Sequence, residues 1–163
     1  MISFNLISNQ TNIHLEYKNN LARDRYVLTP ISVKYDSLTK SLVIAQELGF
    51  NVIRWRIDSS TWTLVAGSAL SDLNGTSRTL FNKLCQVAIN SKNNTFVADC
   101  YNQRIQFFRA DLTPGKTLAG VISAKGSNAY LFDQPTAIAL DQRQDLYVAD
   151  SNNFRIQMFQ QIQ

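Results

Sequence analysis

The sequence predicts an all-β protein built from about three repeated, four-stranded antiparallel sheets. Two observations carry this prediction: a long pattern recurs along the chain, and each copy holds short runs rich in Val, Ile, Phe and Tyr between Asn, Asp, Ser and Gly. Such runs are typical of strands joined by turns. The 163 residues, 45% of them apolar, suffice for one folded domain. No stretch approaches the run of about 18 apolar residues that a membrane-spanning helix needs, so we expect no membrane partner.

The middle and last copies of the repeat match without a gap. Residues 84–108 contain LCQVAIN, TFVAD and NQRIQFF, and 51 positions later residues 135–159 contain PTAIALD, LYVAD and NFRIQMF. A more divergent copy begins at Pro30. A fourth strand is predicted at 61–67 in the first copy and at 117–120 in the second. Each copy is therefore predicted to be an antiparallel meander, and the last one is incomplete.

The best-kept segments of these copies resemble a known repeat family. VADCYNQRIQFF (Val97–Phe108) and VADSNNFRIQMF (Val148–Phe159) are similar to NHL repeats. The resemblance covers about residues 30–160 and implies a β-propeller, usually of about six blades. The first copy departs from the family, because Gln46 replaces the Asp and Asn51-Val-Ile-Arg54 replaces Asn-x-Arg-Ile.

The resemblance implies a partial propeller of NHL type, with about three blades in an open arc. We expect the blades at 30–67, 84–121 and 135–163, preceded by an N-terminal lead-in at 1–29. Blades bury their faces against other blades, so an arc of three leaves apolar end faces. We therefore expect either an open monomer or self-association, in which two chains complete a ring.

Polar residues recur at fixed positions of the two well-kept copies. Catalysis needs unlike residues that converge on one point, so residues repeated in each copy better suit ties between strands or blades. Repeated carboxylates could also bind calcium, but Gln46 breaks the set. We expect a structural role and no metal for Asp99, Asn102, Arg104, Asp150, Asn153 and Arg155.

The sequence gives little support for catalysis. His14 is the only histidine and lies outside the repeats, and no Gly-x-Ser-x-Gly motif occurs. Gly115-Lys116-Thr117 lacks the earlier glycine of a phosphate-binding loop, so with Pro114 it is predicted to be a hairpin tip. We expect no enzyme, no catalytic residue and no cofactor. The family resemblance leaves one enzymatic alternative, a fragment of a metal-dependent propeller lyase or lactonase.

Loop lengths predict a binding face. In a four-stranded meander the loops between blades and the turns between second and third strands lie on the same rim. The loops at 68–83 and 121–134 are long and rich in Ser, Asn and Gly, and such loops often mark the binding face of a repeat protein. Drifted linkers are the alternative. We expect a protein partner at this rim, with Tyr101, Phe154, Asn74 and Asn128 as candidate contacts.

RNA is the alternative partner. The net charge is +4, but the basic residues are scattered singly. Arg54, Trp55 and Arg56 alternate along one predicted strand and could form a basic, aromatic face. A packed Trp55 with arginines that extend outward explains the same pattern.

The two cysteines are predicted to lie across neighbouring strands. If Asn90 and Thr95 close a four-residue turn, Cys85 and Cys100 face each other and are placed for a disulfide. The alternative is that both are reduced, as is usual in the cytosol.

The cellular location stays open. Acceptor sequons for N-glycosylation begin at Asn9, Asn74 and Asn93, which hints at a secreted parent protein. The first residues lack the basic and apolar regions of a secretory signal. We therefore expect a cytoplasmic protein as the chain stands, or an extracellular one if it is a fragment of a secreted parent.

Overall fold

The computed structural model describes residues 5–7, 10–12, 27, 29–59, 61–69, 73–110 and 112–160. Within these ranges the fold is all-β, and the main sheets contain 4, 4 and 3 antiparallel strands, which confirms the predicted fold class. No helix in the described ranges is long and apolar enough to cross a membrane.

Each main sheet is a meander in which strands adjacent in sequence pair with each other. Blade 1 consists of β3 (Pro30–Asp36), β4 (Ser41–Gln46), β5 (Asn51–Arg56) and β6 (Trp62–Gly67). Blade 2 consists of β7 (Leu84–Ile89), β8 (Thr95–Asp99), β9 (Arg104–Arg109) and β10 (Leu112–Gly120). Blade 3 consists of β11 (Pro135–Leu140), β12 (Leu146–Asp150) and β13 (Arg155–Phe159).

A short hairpin precedes the blades. Its strands, β1 (Asn5–Ile7) and β2 (Gln10–Asn12), pair with each other. In the described ranges neither strand of this part of the N-terminal lead-in pairs with a blade. Residues 13–17, His14 and the sequon residue Asn9 lie outside the described residues.

The blades stack face to face, and the first strand of blade 2 lies between the first strands of its neighbours. Apolar residues on the facing sides of blades 1 and 2 form one buried cluster, which includes Val43, Val52, Val87 and Phe108. A second cluster between blades 2 and 3 includes Phe96, Ile105, Ile138 and Val148. Alternation along each strand thus gives blade 2 two buried faces.

The two outer faces of this stack differ. On blade 1, Ile44, Ile53 and Trp55 are buried, with Val27 packed against them. On blade 3, Ile156 and Met158 of β13 are exposed, by 66% and 49%. Burial also differs between strands: Ala139 of the first strand β11 is exposed, whereas every residue of the second strand β8 is buried. In blade 2, β8 has a paired strand on each side and a blade on each face, and all five of its residues are buried.

Strand β10 corrects the prediction at the third-to-fourth turn. We predicted a hairpin tip at Pro114 and Gly115, but both lie inside β10, which begins at Leu112 and is irregular between Leu112 and Lys116. A Cβ atom on Gly115 would lie 2.4 Å from Cε1 of Phe108. Glycine is therefore required where the strand passes over this ring, and Pro-Gly marks a bulge rather than a turn.

The register of β7 and β8 differs by one residue from the prediction. Asn90 was predicted to pair with Thr95, but Ile89 pairs with Thr95, and the side chain of Asn90 accepts hydrogen bonds from the N–H groups of Lys92 and Asn94. This Asx-type turn lengthens the loop to 90–94. The bulge between Leu84 and Gln86 shifts the register by one further residue, so that Leu84 pairs with Asp99.

Cys85 and Cys100 are joined by a disulfide in the structure, with their Cα atoms 6.1 Å apart. Cys85 lies in the bulge of β7, and Cys100 begins the single 3₁₀ turn that follows β8. The bridge therefore links the first strand of blade 2 to the turn between its second and third strands.

Candidate functional site

The candidate site is the edge of the stack that carries the loops between blades. We call it the loop rim and define it by its described loops and turns: 47–50, 73–83, 100–103, 121–134 and 151–154. The turns 100–103 and 151–154 each contain a 3₁₀ turn and end in a residue with left-handed backbone.

The repeated polar residues of blade 2 hold the loop that precedes it. The carboxylate of Asp99 accepts hydrogen bonds from the N–H of Asn82, from Nδ2 of Asn102 and from Nε of Arg104, all within 2.9 Å. Asn102 also donates to the carbonyl of Gly75 at 2.8 Å. The guanidinium of Arg104 donates at 2.8 Å to three further carbonyls, those of Thr76, Ser77 and Leu80.

This ion pair is fully buried. The side chains of Asp99 and Arg104 are both 0% exposed, and their facing atoms are 2.8 Å apart. Burial raises the pKa of Asp99 above its ordinary value, although hydrogen bonds from Asn82 and Asn102 and the charge of Arg104 oppose the rise. A buried ion pair is retained at low cost only when its remaining donors are satisfied, and here the loop carbonyls satisfy them.

Blade 3 repeats the same arrangement. Asp150 accepts hydrogen bonds from the N–H of Asp133, from Asn153 and from Arg155. Asn153 donates to the carbonyl of Gly126, and Arg155 donates to the carbonyls of Ser127, Asn128 and Leu131. The six residues predicted to be structural thus contact their own blade and the loop in front of it.

The two loops share a repeated backbone pattern of their own. In one loop the N–H of Gly75 donates to the carbonyl of Phe81, and in the other the N–H of Gly126 donates to the carbonyl of Phe132. Both phenylalanines are completely buried between blades. The sequence signal that we missed is the pair Leu-Phe at 80–81 and again at 131–132, with the same 51-residue spacing as the strands.

Blade 1 replaces the ion pair with a neutral pair. Gln46 stands opposite Asn51 at the position that Asp99 and Arg104 occupy in blade 2. Nε2 of Gln46 donates to Oδ1 of Asn51 at 2.6 Å, and Asn51 donates to the carbonyl of Ser68. Asn51 therefore occupies the position of the arginine, not that of the repeat asparagine to which the sequence comparison had matched it.

The predicted contact residues lie at the surface of the loop rim. Tyr101 is 46% exposed, and Asn74 and Asn128 are exposed in the two loops. The backbone carbonyl of Asn128 accepts from Arg155, and its side chain accepts from the N–H of Tyr130, so its side chain is partly committed to the loop. Tyr130, which the sequence analysis did not single out, is 79% exposed.

Phe154 lies on the rim but also borders the open face of blade 3. It is 96% exposed although its φ of 53° is uncommon for a bulky residue. Its counterpart in blade 2, Gln103, is buried and accepts a hydrogen bond from the N–H of Gln134 in the next loop. Phe154 thus occupies the place where a following loop packs.

Charges of both signs lie on the loop rim. Nζ of Lys83 lies 4.8 Å from the ring centroid of Tyr101 and 3.9 Å from Glu47. Lys125 pairs with Asp133 at 3.1 Å. The described part of this surface is therefore mixed in charge.

The proposed basic strand does not form a continuous face. Trp55 is buried, and its Nε1 donates to the carbonyl of Ser59. Arg54 does not extend outward as the packing interpretation had it; it is 17% exposed and contacts Asp36 and, across the blades, Asn93. Only Arg56 is strongly exposed in this trio.

Asn93, a predicted glycosylation acceptor, lies in the turn 90–94 between β7 and β8. Asn93 is half-buried, and its Oδ1 accepts from Arg54. Among the residues that the structure describes, no group of three or more His, Cys, Asp or Glu side chains is placed to hold a metal ion.

Comparisons with known proteins agree with the repeated four-stranded sheets described above. The family model of the NHL repeat matches residues 132–159. No curated protein matches the chain in sequence.

Among solved structures, a protein of unknown function from Bacteroides thetaiotaomicron is similar with a TM-score of 0.67 and 15% identity, over 96% of this chain and 41% of that one. An auxiliary nutrient binding protein from the same organism is similar with a TM-score of 0.61 and 18% identity, over 77% and 36%. Virginiamycin B lyase from Staphylococcus aureus is similar with a TM-score of 0.56 and 12% identity, over 89% and 45%. The chain spans less than half the length of these structures, and at such identities the likeness is one of fold.

Proposed function

We propose that this chain, a stack of propeller blades with an NHL repeat at 132–159, is a non-enzymatic module that binds a protein partner through its loop rim. The observation that carries the proposal is the way the loops are held. The repeated Asp, Asn and Arg side chains of blades 2 and 3 form hydrogen bonds to the backbones of loops 73–83 and 124–134. Tyr101 and Tyr130 are exposed on the same rim. A loop that is already ordered loses little conformational entropy on binding.

The composition of the rim supports a protein as the partner. Exposed tyrosines supply large contact areas with few rotatable bonds, and they are enriched where proteins bind each other. The rim also carries paired charges of both signs, such as Lys125 with Asp133. RNA favours a continuous positive track along its phosphates, so the mixed charge favours a protein over RNA.

The use of the polar residues supports a role without catalysis. Each conspicuous Asp, Asn and Arg of blades 2 and 3 forms a hydrogen bond to the loop in front of its blade. One similar structure is a nutrient-binding protein and another is a lyase, but their likeness is of fold, so neither ligand nor reaction is carried over.

The experiment compares retention on the immobilised chain. The rim variant is Tyr101→Ser/Tyr130→Ser, and the matched control is Tyr35→Ser/Leu38→Ser, which removes two exposed apolar side chains from blade 1 away from the loop rim. Extract from the source organism is passed over each, with and without ribonuclease, and retained proteins are identified by mass spectrometry. Folding of all variants is checked by thermal unfolding.

We expect a protein that the wild type and the control retain and the rim variant does not, with or without ribonuclease. Equal retention of the partner by the wild type, the rim variant and the control would contradict the loop rim as the binding face. Retention that disappears with ribonuclease would favour RNA over a protein partner.

A further inference from the structure

The sequon that begins at Asn74 is accessible in the folded protein. The triplet Asn74-Gly75-Thr76 lies on the loop rim, outside the strands, and the side chains of Asn74 and Thr76 are both exposed. Neither side chain forms a hydrogen bond or an ion pair within the described ranges. An N-linked glycan is bulky and hydrophilic, so its acceptor must project into solvent. Asn74 meets this condition.

The backbone of the triplet is held by blade 2, and its side chains are left out of these contacts. The carbonyl of Gly75 accepts a hydrogen bond from Asn102 at 2.8 Å. The carbonyl of Thr76 accepts one from Arg104, also at 2.8 Å. Both bonds use main-chain atoms of the triplet. A sugar on Nδ2 of Asn74 therefore breaks neither of them.

The second loop shows that this position of the repeat faces solvent. Fifty-one residues after the triplet the chain reads Lys125-Gly126-Ser127, and the carbonyls of Gly126 and Ser127 are held by blade 3 in the same way. Lys125, at the place of Asn74, is 57% exposed. The outward direction is thus a property of the loop, and the first copy places an Asn there.

The fold blocks the sequon that begins at Asn93. The side chain of Asn93 is half-buried, and its Oδ1 accepts a hydrogen bond from Arg54 at 2.8 Å across the contact between blades 1 and 2. Thr95, the third residue of this sequon, is only 2% exposed. A sugar on the nitrogen of the same amide group would crowd this contact between blades. The structure therefore selects between two sequons that the sequence leaves equivalent.

The disulfide points to the compartment in which N-glycosylation occurs. Cys85 and Cys100, the two cysteines of the chain, are joined in the structure. Disulfides form and persist in oxidising compartments such as the lumen of the endoplasmic reticulum, and they are rare in the cytosol. The disulfide and the accessible sequon are separate features of the chain that fit the same compartment.

We propose that Asn74 carries an N-linked glycan, which the protein receives in the secretory pathway. The donor is an oligosaccharide linked to a lipid through a diphosphate. Nδ2 of Asn74 forms a bond to the anomeric carbon of the first sugar, the bond between that carbon and the diphosphate breaks, and the amide loses one proton. Thr76 supplies the hydroxyl that the acceptor triplet requires. This modification does not depend on the partner proposed for the loop rim.

Isotope labelling of the native protein tests the proposal. An antibody raised against the chain recovers the protein from its source organism, and a peptide N-glycosidase then releases glycans in water enriched in heavy oxygen, before trypsin is added. Each released acceptor becomes an Asp that carries the label. Cleavage after Lys and Arg places Asn74 in peptide 57–78 and Asn93 in peptide 93–104. A parallel incubation without the enzyme measures spontaneous deamidation of Asn74-Gly75. We expect enzyme-dependent label in peptide 57–78 and none in peptide 93–104.

Variants secreted from cultured eukaryotic cells assign the acceptor. Thr76→Ala removes the hydroxyl of the triplet, and we expect it to abolish the label at Asn74. Ser77→Ala, the matched control, removes the neighbouring exposed hydroxyl, which lies outside the triplet, and should keep the label. Lys125→Asn creates a triplet with Ser127 in the second loop, and we expect a second labelled site there. Thermal unfolding checks that each secreted variant is folded.

Native protein without enzyme-dependent label at Asn74 would overturn the proposal, whatever the secreted variants show. Label that persists at Asn74 in Thr76→Ala would contradict its assignment to the triplet. Label at Asn93 as high as at Asn74 would contradict the selection by the fold. Because Thr76 and Ser77 are both exposed, neither of these two variants removes a packed side chain.

Discussion

Asp36 connects a turn, an ion pair and the contact between two blades. Its carboxylate accepts hydrogen bonds from the N–H groups of Leu38 and Thr39 and from Oγ1 of Thr39, and it pairs with Arg54. Arg54 continues to Asn93 in blade 2. Burial opposes ionisation of Asp36, but these hydrogen bonds together outweigh it and lower its pKa below the ordinary value of 3.8. Such a residue makes stability depend on pH in acid.

The first prediction concerns that dependence. With a folded-state pKa below 3.8, the stabilisation by ionised Asp36 is complete above the unfolded-state value and is lost as the pH falls through the folded-state value. We expect Asp36→Asn to lower the free energy of unfolding at pH 7 and to reduce its loss between about pH 5 and pH 3. Urea unfolding across this range measures both. Asp58→Asn, which removes an exposed carboxylate, is the control; equal pH profiles for Asp36→Asn and wild type would refute the linkage.

The second prediction concerns the cysteines. Because the structure joins Cys85 to Cys100, we expect no reactive thiol in the denatured, unreduced protein and two after reduction. Closing a short loop restricts the unfolded chain, so reduction is expected to destabilise the fold by about 3 kcal/mol. Thiol titration and urea unfolding with and without reductant provide the measurements. Two reactive thiols without reductant would show that the pair is not bonded in solution.

At the level of single residues, the sequence identified the polar side chains that recur between copies. It did not identify the role of a side chain that differs from its counterpart in the other copies. Asp99 and Arg104 were recognisable because Asp150 and Arg155 repeat their spacing. Arg54 was not, because its counterpart Phe107 is apolar and nothing in the local sequence shows that its guanidinium reaches the neighbouring blade. Contacts between blades join residues that are far apart in the chain.

The loops show how one arginine can organise a whole element. Arg104 makes one bond to a carboxylate and three to loop carbonyls, a task that suits the planar fork of guanidinium and not a single ammonium group. The loop backbone has few partners of its own apart from the bonds of Gly75 to Phe81 and of Leu80 to Ser77. Its order therefore depends on blade 2.

The third prediction tests this dependence. Arg104→Lys can keep the contact with Asp99 but leaves loop carbonyls without donors, so we expect the free energy of unfolding to fall by about 2 kcal/mol or more. Hydrogen exchange should increase in residues 74–83 more than in β8 or β9. Arg143→Lys, at an exposed arginine of the opposite edge, is the matched control. If hydrogen exchange in Arg104→Lys increased no more in residues 74–83 than in β8 or β9, the order of the loop would not depend on Arg104.

For the elements, strands were predictable and irregular backbone was not. Alternating and apolar runs located the strands of each blade, as the antiparallel sheets show. The tip predicted at Pro114 and Gly115 was wrong because a Pro-Gly pair signals a departure from regular pairing, which a bulge beside Phe108 satisfies as well as a turn. The one-residue shift between β7 and β8 likewise arose from the side chain of Asn90.

On the scale of the whole molecule, the uncovered face of blade 3 matches faces that are covered elsewhere. Ile156 in β13 corresponds to Ile105 in β9 and Val52 in β5, which are both completely buried against the next blade. Ile156 itself is 66% exposed, with Met158 beside it on the same face. Exposed apolar faces of this kind favour association.

The fourth prediction follows from this face. We expect the isolated chain to self-associate, and we expect Ile156→Arg to shift it toward the monomer because a charge at the covered position opposes burial. Sedimentation velocity over a range of concentrations measures the distribution. Leu38→Arg, which introduces the same charge at an exposed turn, is the control. A wild-type chain that stays monomeric at all concentrations would contradict the expectation.

The anchoring of each loop by the blade that follows it also defines where one repeat ends and the next begins. The loop before β7 is hydrogen-bonded to blade 2, and the loop before β11 is hydrogen-bonded to blade 3. The boundaries between repeats therefore lie just after Gly67 and Gly120. At both glycines φ is near 90°, and a side chain would collide with the backbone of the adjacent turn. A repeat exchanged between two such proteins would keep its interior contacts only if the exchanged segment began just after this glycine. The segment would then include the loop that precedes its first strand.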